Sequence, residues 1–166
     1  MTEFNYTMKN LNLGILGLSI YTAVTTINKL KIDEIQPGAE TITISKTYIL
    51  GASISLAVFS AVNIVLLNYL YDYVTGSNIT YKIFGLVSTG AIVLLGGFLL
   101  AQFLEINYLK RKKSSIYSDD KLEDNIVIIG LVLSGLSIGT GFFMILEILL
   151  SWDSSITDSK KKKKRI

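Results

Sequence analysis

The chain contains no cysteine, no histidine and a single proline. Without thiols there are no disulfides and no cysteine nucleophile. Without imidazole there is no histidine acid–base chemistry and no metal or haem ligation through that ring. Charge is scarce as well. Only 17% of the residues are charged, whereas soluble domains carry about a quarter. Arginine occurs twice against fourteen lysines. With abundant Ile, Asn and Tyr, this is a bias common in AT-rich genomes, and it speaks to origin rather than chemistry.

What the chain has instead is apolar length. Half of its 166 residues are hydrophobic, and the mean hydropathy is +0.49. At 1.5 Å rise per residue, about 20 apolar residues in a helix cross a 30 Å hydrocarbon layer. Residues 126–150 satisfy this with no charge before Glu147. Three similar stretches precede them, at 11–27, 48–69 and 83–106. These predict an all-α membrane protein with four transmembrane helices in a compact bundle. Residues 1–152 form one domain on this reading, and 153–166 a flexible polybasic tail.

The first stretch is the least apolar, with Asn12, Ser19, Thr22, Thr25 and Thr26. Its rival reading is a signal peptide, but Glu3 offsets Lys9, so the region before it is barely positive. It is taken as a span whose hydroxyls face other helices. The loop that follows is the longest. Gln36-Pro37-Gly38-Ala39 places Pro and Gly centrally, as a type II turn requires. Thr41-Ile42-Thr43-Ile44-Ser45 alternates like a strand, with Ile32 and Ile35 as partners. A small β-hairpin-like loop is therefore expected between helices 1 and 2.

Small residues mark the expected helix contacts: Ser53, Ala57 and Ala61 at i+4 spacing in the second span, Gly97 and Ala101 in the third. The fourth carries Gly135-Leu136-Ser137-Ile138-Gly139, a GxxxG that favours close packing within the chain or between copies. Asp124 or Asn125 is expected to cap this span, and Trp152 to close it at the interface. Tyr69, Tyr71, Tyr73 and Tyr81 surround a short turn expected at headgroup level. Asn5-Tyr6-Thr7 and Asn78-Ile79-Thr80 fit the N-glycosylation sequon.

An ionisable or amide side chain inside a membrane is costly and invites a functional reading. Asn63, near mid-membrane, and the ionisable Glu147 are singled out, with Glu105 nearer an interface. Asn63 is expected to join helices, and Glu147 to meet Lys82 at the membrane edge. The competing expectation makes both line a transport pathway. No HExxH and no P-loop occurs. No catalytic residue, cofactor site or metal site is predicted, so the chain is not read as an enzyme.

Residues 160–165 alone supply six positive charges against a formal net of +3, so the remainder is slightly acidic. Lys160, Lys161, Lys162, Lys163, Lys164 and Arg165 suit anionic headgroups, an acidic partner, or nucleic acid without base specificity. Even spans put both termini on one side. Lys and Arg near span ends tie at eight on each side. Lys163 and Lys164 resemble the dilysine retrieval signal of endoplasmic-reticulum membrane proteins, which places the termini in the cytosol and leaves both sequons unused. Four spans superficially resemble small tetraspan families, but the cysteine motifs of tetraspanins, claudins and connexins are missing. The expectation is a structural membrane protein, a subunit of an organelle complex or of a virion with an internal membrane. Its partners would be other membrane or coat proteins and copies of itself. A small oligomeric channel or transporter using Glu147 and Asn63 is the alternative.

Overall fold

In the computed structural model, residues 3–29, 34–35, 44–69, 79–111 and 121–163 are described. They form helix α1 (Glu3–Lys29), a strand pair β1 (Glu34–Ile35) and β2 (Ile44–Ser45), then α2 (Lys46–Tyr69), α3 (Ile79–Arg111) and α4 (Lys121–Lys163). Four segments of these helices are long and apolar enough to cross a membrane: Glu3–Asn28, Lys46–Asn68, Ile79–Tyr108 and Asn125–Ser151. All four expected spans are present, and the first begins eight residues earlier than the apolar run. Such a chain fits an integral, multi-pass membrane protein.

Each helix packs against its neighbours in the chain, and α1 also packs against α4, closing a ring. The inward positions recur every seven residues. On α1 they are Asn5, Asn12, Ser19 and Thr26; on α2, Ile49, Leu56 and Asn63; on α3, Lys82, Thr89, Gly96 and Phe103; on α4, Ile126, Leu133 and Thr140. A seven-residue repeat on helices of 3.6 residues per turn imposes a left-handed supercoil, the usual geometry of membrane bundles. Outside, Val58, Leu94, Val132 and Phe142 are all more than half exposed. The pattern inverts that of a soluble bundle, because lipid is the solvent.

Helices α3 and α4 approach closely, and glycine makes it possible. A Cβ on Gly130 would stand 2.2 Å from the Phe103 ring, one on Gly141 2.5 Å from Val93, and one on Gly96 2.8 Å from Ser137. Ring and glycine interlock, so helix 4 fits only without side chains there. The GxxxG glycines are elsewhere. Gly135 is exposed, Gly139 half-buried, and nothing lies within 4 Å of a Cβ built on either. Packing within the chain through Gly135 and Gly139 is thus corrected. They fall on the face of α4 turned away from α3, and Gly130 and Gly141 take the role. Gly97 is likewise open.

Three further boundaries differ from the sequence reading. β1 and β2 pair antiparallel with Glu34 opposite Ser45 and Ile35 opposite Ile44, two residues a side. Ile32, the Pro37-Gly38 turn and Thr41 to Thr43 lie outside the described residues. Helix α4 starts at Lys121, so Asp124 and Asn125 fall inside the helix and do not cap it. The acids still suit its N-terminal end. At its other end α4 runs on to Lys163, where a flexible spacer and tail were expected. Extending an existing helix costs far less than nucleating one, and lysines favour a C-terminal turn. Lys164, Arg165 and the tyrosines at 71 and 73 lie outside the described residues.

Replacing Gly130 by Ala is expected to destabilise the fold by about 1–3 kcal/mol, the usual cost of overpacking. The same change at Gly135 should stay within about 0.5 kcal/mol. Thermal melts of both variants in one detergent check the contrast.

Candidate functional site

Asn12 on α1, Asn63 on α2, Ser88 on α3 and Met144 on α4 meet in the bundle interior. Each sits on a helix that must turn one stripe inward, and each falls on that stripe. Asn12 and Asn63 are fully buried, Ser88 is 2% exposed and Met144 6%. The Ser88 hydroxyl donates to Asn63 Oδ1 at 2.7 Å. Asn63 Nδ2 points at Met144 Sδ, 3.9 Å away, and Asn12 Nδ2 donates to the same sulfur at 3.4 Å. Asn12 Nδ2 also lies 2.8 Å from Met8 O on its own helix. One level of the structure therefore ties all four helices with neutral polar groups. A further tie is made a turn and more away, where Asn5 Nδ2 donates to Leu67 O at 2.9 Å.

The charged candidates lie toward the ends. Glu147 is half-buried on α4, three residues beyond Met144. Lys82, at the start of α3, is 2% exposed and donates to Ser151 O at 3.1 Å, one turn past Glu147. Its ammonium thus reaches the final apolar turn of α4, where the sequence reading expects it to meet Glu147. At the opposite end Lys46 Nζ donates to Ile27 O at 3.1 Å. A cation there satisfies a helix C-terminal carbonyl and its negative dipole end. Ser45 N donates to Gln102 Oε1 at 3.4 Å, anchoring the strand pair to α3. Glu105 is half-buried, and its Oε1 has no hydrogen-bond partner among the described residues.

Of the residues expected to pack helices, Ser53 is fully buried and donates to Ile49 O at 2.8 Å on its own helix. Ala57, Ala61 and Ala101 are half-buried. The backbone of Lys160 to Lys163 ends α4. Sequence reasoning did not single out Asn12, Ser60, Ser88, Thr89, Thr140 or Met144 as a set. The signal was present: Asn5, Asn12, Ser19 and Thr26 stand seven apart, a polar row at the position where a coiled helix faces its partners. Taken singly, such residues look like ordinary hydroxyls in a weak span.

Interhelical hydrogen bonds in membranes average about 0.6 kcal/mol and reach about 1.7 in double-mutant cycles. A cycle over Asn63→Ala and Ser88→Ala should give a coupling in that range, since the two groups bond directly and are sealed from solvent. Reversible unfolding in detergent measures it, and additive single effects would mean that the bond contributes nothing.

No protein-family model matches this chain, and comparison with curated proteins and with solved structures finds no match.

Proposed function

We propose that the chain is a non-catalytic structural subunit of a larger membrane-associated assembly. An organelle membrane complex or the internal membrane of a large virion is the setting in this reading, with the termini facing the cytosol of an endoplasmic-reticulum-derived membrane. The outward GxxxG of α4 carries it. A Cβ on Gly130 or Gly141 would collide with α3, yet one on Gly135 or Gly139 of the same helix would meet nothing within 4 Å. A helix that has already met its own neighbours still offers a strip where another backbone can approach closely. That strip is flanked by Val132 and Phe142, both more than half exposed, which suit a second membrane helix. The basic run from Lys160 to Arg165 adds attraction to anionic headgroups or an acidic partner, worth about 1 kcal/mol per residue near the surface.

Native purification in mild detergent should recover a stoichiometric set of other membrane or coat proteins. Gly135→Leu combined with Gly139→Leu should release that set while leaving helical content unchanged. Deleting residues 160–165 should weaken the association without affecting membrane insertion. A chain that purifies alone, with or without these changes, overturns the reading.

The polar interior favours one other function, a small oligomeric channel or transporter. Asn63 is fully buried among polar groups of all four helices, and Glu147 is half-buried on α4. Intramembrane carboxylates and amides of this kind mark solute pathways in many membrane proteins. In reconstituted liposomes Glu147→Gln should then abolish flux with the fold intact. Wild-type liposomes that carry neither ions nor small solutes remove this alternative.

A further inference from the structure

Some buried hydroxyls in this bundle satisfy themselves on their own helix. Ser53, Ser134 and Ser137 donate to the carbonyls four residues earlier, at 2.7–2.8 Å. Six others do not, and Ser19, Thr22 and Thr26 along α1 are three of them. Ser60 Oγ, Thr89 Oγ1 and Thr140 Oγ1 have no hydrogen-bond partner among the described residues, and neither does Asn12 Oδ1. Asn12, Ser60 and Thr89 are fully buried and Thr140 is 3% exposed. One comes from each helix.

They also share a level. The bonds of Asn12 and Asn63 to Met144, and of Ser88 to Asn63, align the four helices at one height. Ser60 precedes Asn63 by three residues, Thr140 precedes Met144 by four, and Thr89 follows Ser88. The carbonyl of Thr89 lies 3.3 Å from where a Cβ on Gly141 would stand, so Thr89 and Thr140 adjoin across the α3–α4 contact. Asn12, Ser60, Thr89 and Thr140 thus fall within about 6 Å along the bundle axis, whereas Ser19, Thr22 and Thr26 lie further along α1. The level lies close to the middle of each span.

We propose that this level is a binding site for buried water, held by Asn12, Ser60, Thr89 and Thr140. The chemistry selects the ligand. Asn12 Oδ1 only accepts, whereas the three hydroxyls both donate and accept. The amide donor Asn63 Nδ2 stands at the same height, while both hydrogens of Asn12 Nδ2 are engaged by Met8 O and Met144 Sδ. A molecule that donates and accepts in turn matches that set. A cation, which wants acceptors alone, is repelled by the amide N–H groups and has no carboxylate among the four groups to neutralise it. Internal waters characteristically make about three bonds to buried polar groups that the protein leaves open. Here water bridges helices that do not otherwise bond at these atoms, and it does so where lipid offers no substitute.

The test uses the full chain in bilayer nanodiscs with NMR transfer of magnetisation from water. Bound water should give transfer to the methyl groups of Thr89 and Thr140, deep in the bundle. Thr140→Val keeps the shape and removes the hydroxyl. It should abolish transfer at position 140 and lower the melting temperature by about 2–4 °C, because the water loses a partner. In a dry interior the same change removes an unsatisfied polar group and raises the melting temperature. A wild-type chain with no transfer at either threonine overturns the site, even if the valine variant fails to fold. So does a Thr140→Val chain that melts higher than wild type.

Discussion

Lipid tails are as apolar as the side chains they surround, so burying Leu against Leu gains these helices little over leaving it in the bilayer. Association has to come from close packing and from polar groups that lipid cannot satisfy. The interlock of Gly130 with Phe103 is the clearest case of the first, with Gly96 and Gly141 beside it on the same helix pair. It brings the α3 and α4 backbones near enough for side chains one turn away to fill the remaining space. The bond between Asn63 and Ser88 is the clearest case of the second, and it fixes the height of α2 against α3.

The two devices cooperate through the seven-residue repeat. A left-handed supercoil keeps the same stripe inward over the whole span, so one register error would misplace every layer. Polar groups at selected layers make such errors expensive, since an amide out of register meets hydrocarbon in place of a partner. The apolar core, including Ile15, Leu56, Ile92 and Leu133, supplies the volume. Register is thereby specified by a few atoms, and density by many.

The existence of the four spans was legible because it depends on composition summed over twenty residues, a quantity insensitive to detail. The inward polar face of α1 was legible too, since Asn12, Ser19, Thr22, Thr25 and Thr26 are buried as expected, but the rotation of α4 was not. Gly135 and Gly139 form a motif known for packing, yet Gly130 and Gly141, in no motif, make the contact. Which glycine matters depends on the rotation of α4 about its axis, and that rotation is set by the partner ring of Phe103. Likewise Asn63 was visible as a costly residue, but its neighbour Ser88 is 25 residues away and could not be assigned from spacing. The end of α4 differed for another reason. The polar stretch after Ser151 reads as a spacer by propensity, while the anchored helix before it carries the backbone on to Lys163.

By itself the sequence determined that the chain has four helices long and apolar enough to cross a membrane, because hydrocarbon tolerates no unsatisfied backbone and a helix answers that for an apolar run of this length. Tertiary structure alone decided which polar atoms are answered by another helix and which are left open. Those choices depend on register and rotation to within an ångström or two, and only the simultaneous packing of all four helices sets them.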